Sequence, residues 1–289
     1  MKYFAAGLCN TVSDPARSES EQPAVPETGA SQTGMTPRTK REYLRELVAD
    51  KNRWSGLTLT DAERKLGFLG WHERGYLPHC DFPGLVQFVT FRLADSMPAA
   101  RHSEWEHLLA IEDVREKRTK LEDYLDRGIG ECWLRQPRVA TLCEEALRYF
   151  HNERYELLAW CVMPNHVHVL VHVWETPLSM MVRSWKQFIQ TEARDLIAER
   201  RPPARLDHTT PTRHAGRLAL QSFWQREYWD TFMRSEEQER TAIRYLESNP
   251  VKAKLCRAAA EWQFSSARFR DEYRRLQLPE TKTAGLKVK

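Results

Sequence analysis

One stretch constrains the fold more than any other: YELLAWCVMPNHVHVLVHV, from Tyr155 to Val173. It is rich in β-branched, aromatic and aliphatic residues, and Met163-Pro164-Asn165 interrupts it with turn chemistry. It therefore reads as two strands folded back on each other. Successive side chains of a strand leave opposite faces. His166 and His168 then share one face, while Val167, Val169 and Val171 occupy the other. His172 has the same parity but stands beyond Leu170, and reads as a bystander. Two imidazoles side by side on a strand are a place to hold a divalent metal, or equally a chance feature of a buried strand. The spacing alone leaves both readings open.

Around this hairpin the chain alternates elements. LVQFVTFRL, Leu85 to Leu93, is a first core strand. A long helical stretch runs from about Pro98 to Asp126 and ends before Gly128-Ile129-Gly130. RVATLCEEALRYFH, Arg138 to His151, sets Val139, Leu142, Cys143, Ala146, Leu147 and Phe150 on one helical face. After the hairpin, Leu178 to Arg200 is helical, with Met181, Trp185, Phe188, Ile189 and Leu196 near one side. Tyr228 to Met233 reads as a fourth strand. Ser235 caps a helix with acidic residues in its first turn, and Pro250 is expected to stop it. The order β, α, β, β, α, β, α implies an α+β fold: an antiparallel β-sheet with helices packed on one side of it. Residues 10 to about 41 are rich in Ser, Pro, Thr, Glu and Gly, so residues 1–41 are expected to form a disordered tail. Residues 42–81 read as a small helical N-terminal extension, with Thr60 or Asp61 as a helix cap. Residues 82–270 hold the main domain, and residues 271–289 a basic C-terminal tail.

Charge is uneven. The net charge is only +4. Arg183 to Arg217, however, carries eight basic and four acidic residues, and Val251 to Lys289 ten basic and four acidic. These two segments hold +10, which leaves −6 for the rest. A basic second half suits a polyanion, although such residues also serve as an ordinary solvated face. The six cysteines show no metal-ribbon or CxxC spacing, and several sit in apolar runs, which fits a reduced, cytoplasmic protein. MKYFAAGLCN is too short an apolar run for a signal sequence, and no stretch approaches the roughly 20 apolar residues of a membrane span.

The helix before Pro250 gives the histidines a context. Tyr245 and Asn249 are four apart and share a helix face. A tyrosine is a nucleophile when activated, and an asparagine carbonyl oxygen is a ligand for a hard cation. The alternatives are a half-buried core aromatic in register with Ile243 and Leu246, and a C-cap before proline.

Taken together, Pro164-Asn165-His166-Val167-His168, then Trp224-Gln225 with Tyr228-Trp229-Asp230 and Arg234, then Tyr245-Leu246-Glu247-Ser248-Asn249-Pro250-Val251-Lys252, resemble the REP-associated tyrosine transposases. These are relatives of the single-tyrosine HUH transposases of insertion sequences. The resemblance spans about Phe82 to Phe269. Residues 1–80 fall outside it, Arg201 to Arg217 looks like an insertion, and Leu246 stands where isoleucine is commoner. It implies an HUH, ferredoxin-like βαββαβα domain over residues 82–270 that cleaves and rejoins single-stranded or hairpin DNA. It implies Tyr245 as the nucleophile, forming a 5′-phosphotyrosine, and His166, His168 and Asn249 as ligands of Mg²⁺ or Mn²⁺. An unperturbed tyrosine, with a pKa of about 10, then needs a base or a nearby cation, which the sequence does not identify. DNA contacts are expected from Arg183, Lys186, Arg194, Arg226, Arg234, Lys252 and Lys254. Trp185, Trp224 and Trp229 either stack on bases or fill the core. The same resemblance leaves the protein a monomer or a homodimer. Two rival functions share these residues: a non-catalytic DNA-binding regulator, and a metal-dependent nuclease in which water attacks.

Overall fold

The protein is described by a computed structural model that covers residues 57–73, 78–111, 113–200 and 223–279. The expected tail (1–41), the start of the extension and the Arg201–Arg217 insertion lie outside the described residues. The extension opens with α1 (Asp61–Lys65). Thr60 is its cap: the hydroxyl accepts from the Glu63 N–H, and the Glu63 carboxylate accepts the Thr60 N–H at 2.8 Å. Such a box satisfies two donors that a helix start would otherwise leave unpaired. Among the described residues of the extension, those from 66 to 73 and from 78 to 81 are not helical, contrary to expectation. Gly67 and Gly70 take positive φ, 94° and 67°, and turn the chain into β1 (Gly70–Glu73) and β2 (Pro78–Asp81), an antiparallel pair. Trp71 of β1 sets its ring edge-on to Phe82 and Phe232, a long-range contact that local spacing does not announce.

The main sheet consists of β3 (Val86–Arg92), β4 (Tyr155–Val162), β5 (His166–Val173) and β6 (Trp229–Phe232). Their order is β4-β5-β3-β6 and every neighbouring pair is antiparallel. The connections carry α2 (His102–Leu109), α3 (Val114–Asp126), α4 (Pro137–Arg148), α5 (Leu178–Glu192) and α6 (Arg194–Arg200), and α7 (Glu236–Lys252) follows β6. This is the expected ferredoxin-like βαββαβα order. The long helical stretch between β3 and α4 is in fact two helices, because Asp113 caps a new start by accepting the Glu116 N–H.

Helices cover both faces of the sheet rather than one. On the valine face, Val167, Val169, Val171 and Val173 pack with Phe91, Trp160 and Val162 against α4 (Val139, Cys143, Leu147) and α5 (Met181, Trp185, Ile189). On the histidine face, Phe88, Ala159, Cys161 and Leu170 pack against Leu246 of α7 and its partly buried neighbours Ala242, Ile243 and Tyr245. The expectation of one covered side fails because β5 buries both of its faces, and a buried face needs a cover.

Two further differences bear on the site. Pro250 does not end α7, which runs on to Lys252. Proline removes one N–H, but so late in the helix only one intrahelical bond is lost. The last turn closes with Ala253 N–H to Asn249 O and Leu255 N–H to Pro250 O. Asn249 is therefore an interior helix residue, not a cap. Residues 271–279, expected to belong to a basic tail, run back along the domain: Gln277 N–H bonds Phe269 O, and Leu276 and Leu278 pack on the valine-face core. Among the described residues no helix is long and apolar enough to cross a membrane.

Candidate active site

Pairing fixes where the two histidines stand. In the β3–β5 ladder His168 lies opposite Thr90 and His166 opposite Arg92. Each imidazole is held through its Nδ1: His166 to the Asn165 side-chain oxygen at 2.8 Å, and His168 to the Thr90 hydroxyl at 2.8 Å. Asn165 is in turn anchored by donating its amide to Ile129 O. A ring whose Nδ1 is held in this way is oriented to use Nε2 as its ligating atom. The two Nε2 atoms meet at 3.0 Å, and both rings are buried. At that separation at least one Nε2 must present a lone pair. Burial, then His168 and Arg92, hold His166 well below its ordinary pKa, so its imidazole is neutral at pH 7.

Helix α7 closes over this pair. The Tyr245 ring stands 6.3 Å from that of His168 and 6.2 Å from that of Phe88. Its hydroxyl donates to Glu122 Oε2 at 2.6 Å. Asn249, one turn further along α7, is fully buried and neither atom of its amide has a hydrogen-bond partner. Such a group costs free energy unless something satisfies it. The structure thus brings His166, His168 and Tyr245 together, and one turn along α7 from Tyr245 it buries an asparagine with open bonding capacity.

Helix α3 supplies a wall that the sequence pattern did not reveal. Glu122 and Asp126 are four apart, so they share a helix face. Asp126 Oδ1 lies 3.9 Å from His166 Nε2, and Asp126 Oδ2 lies 3.6 Å from Lys252 Nζ. Burial pushes the Asp126 carboxyl up to about 6, although Lys252 pulls against it. Lys252 also bonds Asp123 at 2.7 Å and sits 5.9 Å from the centre of the Tyr245 ring. Burial by itself would lower the Lys252 ammonium, but Asp123 and Asp126 raise it, so it remains a cation. In the sequence, KLEDYLD is a charged helix indistinguishable from a solvated face. The only local signal is that each of these carboxylates follows a leucine that proves buried, Leu121 and Leu125. Arg92 was also missed: it is buried beside His166, donates to Ser96 Oγ and lies 4.7 Å over the Trp105 ring.

The residues expected to touch DNA are scattered. Arg183 and Arg194 are exposed but lie on α5 and α6, whose apolar sides pack into the valine-face core, away from the histidines. Lys186 points its ammonium at three backbone carbonyls, Gln225 O, Arg226 O and Glu227 O, at 2.9 to 3.4 Å. Arg226 and Arg234 are exposed at either end of β6. Lys252 borders the site, and Lys254 is exposed just past the end of α7. Trp185 and Trp224 are core residues, while half-buried Trp229 stacks on Trp105 with rings 5.9 Å apart. Asp230, in the Tyr228-Trp229-Asp230 run, faces the β1–β2 pair: its carboxylate accepts the Cys80 N–H and bonds His79, whose other nitrogen meets Glu227 at 3.2 Å.

The structure thus brings two of the separated motifs of the resemblance, the His166–His168 strand and the Tyr245 helix, into one place. Over 112 residues, 39% of its length, the chain is 24% identical to a Haemophilus influenzae protein described as a REP-associated tyrosine transposase. The chain spans 58% of that curated relative. A solved REP-associated tyrosine transposase, bound to a REP hairpin, shares 15% identity over 69% of this chain and 84% of its own, with a TM-score of 0.38, a likeness too loose to argue from. No family profile matches the chain. The chain is similar to the REP-associated tyrosine transposases.

Proposed function

We propose that this protein cleaves and rejoins single-stranded or hairpin DNA through a covalent bond between Tyr245 and a 5′-phosphate, assisted by Mg²⁺ or Mn²⁺ at His166, His168 and Asn249. One observation carries the reading: the Tyr245 ring stands 6.3 Å from that of His168 while its hydroxyl is bonded to a buried carboxylate. The similarity to a protein described as a REP-associated tyrosine transposase supports it.

The donor set fits a divalent cation. Two donors each about 2.1 Å from a cation and at right angles around it are about 3 Å apart; the two Nε2 atoms are 3.0 Å apart. His166 is neutral and Asn249 has an unused carbonyl oxygen, so the charge on the ion is not cancelled. When bound, such a cation polarises the scissile phosphate and offsets the charge that develops on it. Among the described residues no three His, Cys, Asp or Glu side chains form a metal group by themselves, which makes a donor of another type, such as the Asn249 amide, necessary.

The remaining work falls to this chain's own groups. Glu122 accepts the hydrogen bond of the Tyr245 hydroxyl, so it is placed to take the phenolic proton as the oxygen attacks phosphorus. Lys252, over the ring, favours the negative charge that grows on the tyrosine. Attack forms the Tyr245 O–P bond and breaks the P–O3′ bond, leaving a free 3′-hydroxyl. Because the phosphodiester energy is kept in the phosphotyrosine, a 3′-hydroxyl can attack in turn and rejoin strands without ATP. Both faces of the hairpin strand contribute, since the valines anchor it and the histidines present their nitrogens to α7.

The test is to incubate the purified protein with labelled hairpin DNA carrying a single-stranded flank, in Mn²⁺ or Mg²⁺, and to resolve the products on a denaturing protein gel. A labelled protein–DNA adduct is expected, and Tyr245→Phe should abolish it while hairpin binding persists. A product with a free 5′-phosphate and no adduct would replace this reading with water-driven hydrolysis. Binding without cleavage would replace it with a DNA-binding regulator.

A further inference from the structure

The turn Gly128-Ile129-Gly130 and the side chain of Asn165 have no part in the chemistry above, yet one line of hydrogen bonds runs from them into the histidine pair. We propose that Asn165 is a positioning residue. It fixes His166 with its ring hydrogen on Nδ1 and its lone pair on Nε2, and so obliges His168 to carry a hydrogen on Nε2 when no ion is bound. This order is a property of the folded chain alone, while its meaning for ion binding rests on the functional reading above.

The line starts at the turn. Gly130 takes a φ of 99°, and a Cβ there would lie 2.6 Å from Asp95 O, so the backbone passes where only glycine fits. Asp95 Oδ2 also accepts the Glu131 N–H at 2.8 Å, and Leu134 N–H bonds Pro164 O at 3.2 Å, which ties the turn to the hairpin. Ile129 O is thereby presented to the fully buried Asn165. A carbonyl only accepts, so the Asn165 atom that meets it at 3.0 Å is the amide nitrogen. The amide then has one orientation, with its oxygen facing His166 Nδ1 at 2.8 Å. That oxygen also only accepts, so Nδ1 carries the hydrogen. Burial keeps His166 neutral, and a neutral imidazole has one ring hydrogen, which leaves Nε2 with a lone pair. His168 Nε2 lies 3.0 Å away. Two lone pairs at that distance would repel, so the hydrogen between them belongs to His168. Thr90, 2.8 Å from His168 Nδ1, has a hydroxyl that can donate or accept, and it closes the line without constraining it.

The two histidines are therefore unlike, although strand parity treats them as a pair. His166 presents a ligating lone pair from the outset, because a neighbouring acceptor holds its other nitrogen. A neutral His168 presents one only after its hydrogen moves from Nε2 to Nδ1, where the Thr90 hydroxyl turns to accept it. The ring stays neutral, and no proton enters or leaves. In the sequence Asn165 reads as turn chemistry between two strands. Its side chain has this second use, which depends on a turn 36 positions away.

The test is long-range proton–nitrogen NMR of the full chain with labelled histidine, without DNA or metal. The two rings are identified by the signals lost in His166→Gln and His168→Gln. Wild type should show His166 with its hydrogen on Nδ1 and His168 with a hydrogen on Nε2. Asn165→Ala removes the acceptor and should turn His166 into a mixture of both tautomers. Asn165→Asp keeps an acceptor oxygen and should restore the Nδ1–H form, a rescue that a merely structural role would not give. With labelled hairpin DNA and Mn²⁺, adduct formation by Asn165→Ala should slow by about 10-fold or more at unchanged hairpin affinity. A wild-type His166 with its hydrogen on Nε2, or a His166 signal that Asn165→Ala leaves as it was, overturns the proposal whatever the adduct assay gives. If Asn165→Ala does not fold, the wild-type tautomers decide. If the tautomers are as expected but wild type forms no adduct, the positioning role stands and the functional reading falls.

Discussion

Arg270→Met is expected to destabilise the protein by about 3 kcal/mol, because Arg270 is what holds α7 in place from behind. Glu247 sits between Tyr245 and Asn249 on α7 and is buried, with its side chain 2% exposed. Arg270 Nε donates to Glu247 Oε1 at 2.7 Å, and Arg270 Nη2 donates to Leu158 O at 2.7 Å, where a bulge interrupts the β4–β5 register. Methionine removes the guanidinium but keeps most of its apolar stem. The magnitude has two parts. Breaking a buried pair by removing one partner costs about 3–5 kcal/mol, and an orphaned buried carbonyl about 1–3 kcal/mol. Against this, Glu247 keeps the Ser266 hydroxyl at 2.7 Å and the well-exposed Arg274 guanidinium at 3.2 Å, which offset about 1 kcal/mol of the low-end sum of about 4 and leave about 3 kcal/mol. With a urea slope of about 3 kcal/mol per molar, the unfolding midpoint should fall by about 1 M. In the double variant Glu247→Gln with Arg270→Met the carboxylate is no longer stranded. Its cost should be at least about 1 kcal/mol less than the sum of the two single changes. Urea unfolding followed by circular dichroism measures all three. A midpoint shift below about 0.3 M for Arg270→Met, or simple additivity in the double variant, would refute this account of how the tyrosine helix is docked.

Two other outcomes follow from the site and its surroundings. Glu122→Gln keeps a partner for the Tyr245 hydroxyl but removes its proton acceptor, so single-turnover adduct formation should slow by about 100-fold or more with hairpin affinity unchanged; a change under about 3-fold would mean another group takes the proton. At His79 burial lowers the pKa, but Asp230 and then Glu227 outweigh it, so the imidazole titrates above its ordinary 6.5. A raised folded pKa gives stability that is complete below about 6.5 and is lost as pH rises through the folded value. The stability advantage of wild type over His79→Gln should therefore shrink from pH 6 to pH 9 in urea titrations, and an advantage that grows with pH would contradict a charged His79 between its carboxylates.

Short-range physics made much of this protein readable from its residues alone. Strand parity put His166 and His168 on one face, and helical spacing put Tyr245 and Asn249 on one face. Ser235 announced its cap, Thr60 was one of two candidates for the other, and the order of strands and helices announced the sheet. Each of these depends on neighbours a few positions apart, where backbone geometry dictates the outcome. Pro250 shows the limit even at short range: proline's rule against helix interiors weakens in the last turn, where little hydrogen bonding remains to be lost.

Tertiary packing decided the rest, because the groups concerned are far apart along the chain and share no repeating interval. Only the two packed cores show that α7 covers the histidine face while α4 and α5 cover the valine face. That choice separates Arg183 and Arg194 from the site and brings in Lys252. Glu122 and Tyr245, 123 positions apart, meet at 2.6 Å, and nothing in the charged helix that carries Glu122 distinguishes it from a solvated surface. The sequence alone determined which side chains each strand and helix would present. Which of them would face one another, and so whether an acid or a cation would stand beside the tyrosine, was settled by the burial of two faces of a single sheet.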